Sequence, residues 1–67
     1  MNPLQIYQDA GRKAGTAAKR RDMATVSHWN SWLSRAVALE TLERRRECRE
    51  AYNEAYREQA TPTPRTV

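Results

Sequence analysis

His28 is the one histidine of the chain; it stands beside Trp29, with Asp22 before it and Glu40 after it in sequence. An imidazole oriented by a carboxylate is a general base, and Ser27, Ser31, Ser34 or Cys48 would be the nucleophile it activates. That chemistry also needs donors aimed at a developing oxyanion and a concavity that excludes water. No glycine-rich loop supplies the donors, and 67 residues of helical pattern offer little concavity. His28 is therefore read as a surface or dimer-contact residue, and the chain as no enzyme. Cys48 lies among Arg44, Arg45, Arg46 and Arg49, a setting that favours thiolate chemistry. The plainer reading is a small residue on a helix-packing face. One cysteine and one histidine make neither an internal disulfide nor a metal-ligand set, so no cofactor is expected.

The elements that would position these groups are helical. Ala10, Gly11, Ala14, Gly15, Ala17 and Ala18 recur at helical spacing. Asn2-Pro3-Leu4-Gln5 opens that helix with a cap, a proline suited to the first turn and a glutamine at the capping-box position. The first helix is expected over about 3–20. Each glycine inside it costs about 1 kcal/mol against alanine, so two on one face predict close backbone packing that compensates. Lys19, Arg20 and Arg21 complement the dipole at its end.

Asp22 is the expected N-cap of the next helix, after a very short turn. Met23, Val26, Trp29, Leu33, Ala36 and Val37 form a stripe predicted to face the first helix, and the stripe resumes at Cys48, Ala51, Tyr52, Ala55 and Tyr56. No Gly or Pro separates the two stretches. The reading is an all-α, antiparallel helical hairpin with a long second helix over about 22–60, bent or broken near 39–42. A break there, with Thr41 as a new cap, would give three helices. Ala10, Ala14, Val26, Trp29, Leu33, Tyr52 and Tyr56 are the expected packing or dimer residues. Trp32, Leu39 and Leu42 point to the other side of a continuous second helix and would form a second apolar face. Two prolines close the pattern, so residues 1–60 read as one domain and 61–67 as a disordered Pro/Thr tail.

A chain this short buries only about 60% of its unfolded surface and commonly needs a staple. Without disulfide or metal, self-association or an obligate partner remains, and of these a homodimer is expected. There is no signal-peptide pattern and no apolar run near the ~20 residues that span a bilayer, so a cytoplasmic location away from membranes is expected. The net charge of +4 is uneven. Residues 1–22 carry five Lys/Arg against two Asp, whereas residues 41–60 balance five Arg with five Glu. Around Arg44-Arg45-Arg46, the pairs Glu40–Arg44, Glu43–Arg46 and Arg46–Glu50 read as solvated ion-pair ladders. Lys19-Arg20-Arg21 is the less neutralised cluster. With Ser27, His28 and Asn30 it supports an alternative: a small basic nucleic-acid-binding regulator of helix-turn-helix type. The turn ahead of that segment lacks the glycine such a motif often carries.

From Tyr7 to Arg57 the chain has an Ala/Gly-rich first helix, an Arg21-Asp22 turn, a His28-Trp29 pair, Arg35-Ala36 with Leu39-Glu40, and a closing Ala55-Tyr56-Arg57. In these features it resembles the small helical host-takeover proteins carried by bacteriophages and prophages of proteobacteria, the quorum-sensing anti-activators among them. The resemblance implies a cytoplasmic helical inhibitor that binds a host protein, such as a transcription factor, and blocks its activity in transcription regulation. Trp32, Leu39 and Leu42 are the contacts expected from the second apolar face, with Lys19, Arg20 and Arg21 as steering charges.

Overall fold

The computed structural model describes residues 3–60; the Asn2 cap and the 61–67 tail expected from sequence lie outside the described residues. The chain is all-helical there: α1 (Gln5–Lys19), α2 (Met23–Ala38) and α3 (Leu42–Ala60), with no strand among the described residues. α1 opens at Gln5, two residues later than expected. Pro3 and Leu4 form a turn instead, and the Leu4 carbonyl accepts from the Tyr7 and Gln8 N–H groups at 3.1 and 3.0 Å.

α1 ends in a Schellman arrangement. The Asp22 N–H donates to the Ala17 carbonyl (2.8 Å) and the Arg21 N–H to the Ala18 carbonyl (3.0 Å). Between them Arg21 sits at φ 61°, the left-handed region where a Cβ is penalised and glycine is usual. Asp22 then caps α2 as expected. Its carboxylate accepts from the Thr25 N–H (3.3 Å) and from the Thr25 hydroxyl (2.6 Å). These bonds, the hydroxyl first, hold the Asp22 carboxyl below its ordinary range.

The continuous second helix does not form: α2 stops at Ala38 and α3 starts at Leu42, so the fold has the three helices of the alternative reading and not the two-helix hairpin. Two side chains explain the break. The Thr41 hydroxyl accepts from the Arg44 N–H (3.3 Å) and caps α3. The guanidinium of Arg45 folds back over the finished end of α2: Nε donates to the carbonyls of Val37 (2.9 Å) and Glu40 (3.1 Å), and the terminal nitrogen donates to that of Ala38 (3.1 Å). These carbonyls lie at and just beyond the end of α2, where a helix is short of donors, and a cation there also meets the negative end of the dipole.

Distances give the directions of the helices. Tyr7 packs on Trp32 and Lys13 lies over Trp29, so α2 runs back along α1. Arg45 reaches Val37 and the Tyr52 hydroxyl donates to Asn30 (3.0 Å), so α3 reverses again. α3 therefore runs in the same direction as α1, and the α1–α3 contact is the largest in the molecule. The small-residue face of α1 meets α3, not α2. A Cβ at Gly15 would lie 2.5 Å from the Tyr56 carbonyl oxygen and 2.7 Å from Gln59 Cβ. One at Gly11 would collide with the Tyr52 carbonyl and come within 3.0 Å of Ala55 Cβ.

The core is correspondingly thin. Tyr7, Ala10, Ala14, Val37, Cys48, Ala51 and Tyr52 are its centre, and Ala17, Val26 and Ala55 are buried as well. Leu4, Trp29, Trp32, Leu33, Ala36 and Tyr56 pack on it only partly buried. Met23, placed by its spacing on the face toward the first helix, is exposed instead.

Gly11→Ala and Gly15→Ala should each destabilise the protein. The collision is with backbone, which cannot swing aside, and overpacking of about 1–3 kcal/mol outweighs the gain of about 1 kcal/mol in helix propensity. Urea denaturation midpoints should fall; a rise for both would mean that α1 and α3 are not this close. Arg21→Gly acts in the opposite sense: relief of the left-handed strain should add about 1 kcal/mol, read as a higher midpoint in the same experiment.

Candidate functional site

The two carboxylates that could have oriented His28 are engaged elsewhere. His28 is exposed and lies edge-on to Trp29, ring centroids 5.2 Å apart. Asp22 is committed to Thr25, and Glu40 to Tyr7 and Arg44. Cys48 is fully buried against the core. Among the described residues no three His, Cys, Asp or Glu side chains stand close enough to hold a metal ion, and no helix is long and apolar enough to cross a membrane.

What the fold does build is an apolar end. It lies where α1 begins, α2 finishes and α3 begins. Ile6, Tyr7, Trp32, Arg35, Ala36, Leu39 and Glu40 line an open groove of about 380 Å³. Its floor is aromatic: Tyr7 and Trp32 have ring centroids 5.5 Å apart, and Trp29 continues the row at 5.8 Å from Trp32. Ile6 is 54% exposed, Leu42 78% and Leu39 90%, so the last is almost as accessible as in an extended chain. Leu39 is held out by the turn. The 39–41 segment leaves the helical path between the Arg45-capped end of α2 and the Thr41 cap, and its leucine has no neighbouring helix to lie on.

Trp32 and Leu39 both line this groove, together with Ile6, which spacing along the sequence does not connect to them. Leu42 is exposed three residues on but does not line the groove. The basic cluster is elsewhere. Thirteen residues separate Ile6 from Lys19 along α1, a rise of about 20 Å, so Lys19, Arg20 and Arg21 stand at the opposite end. All three are exposed, and none takes part in an ion pair among the described residues. The α3 ladder is present in part, with Arg44–Glu40 at 3.5 Å and Arg46–Glu50 at 3.4 Å. Exposed pairs of this kind contribute about 0–1 kcal/mol.

Beneath the groove, Tyr7 ties the end together. Its hydroxyl donates to Glu40 Oε2 (3.0 Å), joining the first turn of α1 to the α2–α3 turn. Burial, then the neighbouring Cys48 and Glu40, push the Tyr7 phenol well above its ordinary 10.0. Tyr52 is also raised, by burial first and by Tyr56 beside it. Asn30, on the exposed side of α2, accepts the Tyr52 hydroxyl with its amide oxygen.

Comparison of the chain with protein-family models, with curated proteins and with solved structures finds no match.

Both raised phenols favour the folded protein in their neutral form. Stability should therefore be level with respect to these groups below pH about 10 and fall as pH rises from there toward their folded values, because the unfolded chain then loses the protons first. Phenolate absorbance and helical ellipticity followed in one alkaline titration should show Tyr7 and Tyr52 ionising late, together with loss of helix. Tyr7→Phe should remove part of that alkaline sensitivity.

Proposed function

We propose that this chain is a non-enzymatic protein-interaction module, an inhibitor that covers a functional surface of another protein. Leu39 carries the reading: a large aliphatic side chain held 90% exposed beside an aromatic-floored groove. Soluble surfaces carry single exposed leucines routinely. Two large exposed aliphatic side chains lining one groove, Ile6 and Leu39, with aromatic rings beneath, are what protein-binding sites present. The chemistry such an end performs is exclusion of water and of competitors. A rigid helical body 41 Å in its longest dimension would block access sterically.

The class of partner follows from the resemblance of the 7–57 segment to phage host-takeover proteins. It is a regulatory protein of the host, such as the transcriptional activator that a quorum-sensing anti-activator silences, met in the host cytoplasm. Lys19, Arg20 and Arg21 at the far end supply long-range attraction toward an acidic partner and make no contact at the groove.

The test is capture from bacterial lysate on the immobilised chain, with and without nuclease, using wild type and Leu39→Asp. Leu39 touches little within its own molecule, so the substitution should leave the helical spectrum unchanged. One host protein should stay bound to wild type after nuclease treatment and be lost with Leu39→Asp. If all captured material disappears with the nucleic acid and capture falls steeply with salt, the chain is a nucleic-acid-binding regulator acting through residues 19–21.

A further inference from the structure

We infer that the groove end is self-complementary and that two copies of this chain pair through it about a two-fold axis. The inference rests on the reading of this end as an interaction surface: a second copy occupies it in the free chain, and the partner of the proposed function would take that copy's place. A two-fold interface needs both halves of every contact on one patch. This patch has them. Leu39 is a protruding knob, and the groove floored by Tyr7, Trp32 and Ala36 lies directly beside it. Rotation about an axis between them sets each Leu39 into the other copy's groove.

Charge is matched in the same way. Arg35 and Glu40 both line the groove. Arg35 is exposed and takes part in no ion pair among the described residues. Glu40 binds the Tyr7 hydroxyl with one oxygen and Arg44 with the other at a loose 3.5 Å, leaving acceptor capacity for a further donor. A two-fold operation places the Arg35 of each copy toward the Glu40 of the other.

The thin core adds a reason for pairing, since a second copy would bury apolar surface that the three helices leave exposed.

Sedimentation equilibrium on wild type, Leu39→Asp and Met23→Asp tests this. Met23 is also exposed but begins α2 at the other end of the molecule, so it is the control. Wild type and Met23→Asp should be dimers in the micromolar range. Leu39→Asp should be a monomer with the same helical spectrum, its dimer dissociation constant raised at least about a hundredfold because the symmetry places each substitution in the interface twice. A monomeric wild type overturns the inference, as does a dimer that survives Leu39→Asp. The proposed function fails separately: a Leu39-dependent dimer that captures no protein leaves the pairing standing. A monomer that captures one through Leu39 leaves the function standing.

Discussion

The fold depends on how closely α1 approaches the backbone of α3. Gly11 and Gly15 let the carbonyls of Tyr52 and Tyr56 come where a methyl group would otherwise sit. Each glycine gives up helix propensity, and it is useful only if the helices touch along that line. Because α1 and α3 run in the same direction, the contact cannot be made by a simple hairpin. A connecting helix has to carry the chain back to the start, and α2 has that task. Its sequence agrees: α2 presents only Val26 and Val37 as buried residues and keeps its tryptophans at the margin of the core.

The second constraint is the stop at Ala38. A polypeptide with no glycine or proline from 23 to 60 can continue as a helix by propensity alone. Here the competition is decided by hydrogen bonds that the broken helix gains. Thr41 supplies an acceptor to the start of α3, and Arg45 supplies donors to three carbonyls at and just beyond the end of α2. Tyr7, donating to Glu40 from α1, fixes the same turn from below. The three interactions over-determine a bend that leaves Leu39 without cover.

The sequence made local features legible and left long-range ones hidden. The Asp22 cap, the short turn after Lys19 and the helical class follow from residue types within a few positions of each other, and the structure has them. The identity of α1's neighbour does not follow, because a small-residue face is equally suited to any helix brought against it. Thr41 was readable as a possible cap. Arg45 was not, since a side chain that reaches back eight residues to a carbonyl looks, in sequence, like one more member of an arginine run. The apolar end was half visible: Trp32 on α2 and Leu39 just past its end are seven positions apart in sequence, whereas Ile6 joins them only once the first turn of α1 is laid beside the last turn of α2.

An odd number of alternating helices also separates the two ends of the described chain. Pro3 lies at the groove pole and Ala60 at the opposite one, beyond the full length of α3. A fusion partner, affinity tag or surface tether joined after Ala60 would stand clear of the groove, while the same group joined ahead of Pro3 would crowd it. The two positions are thus unequal handles on one molecule, and C-terminal attachment is the geometry that leaves the apolar end open to solution.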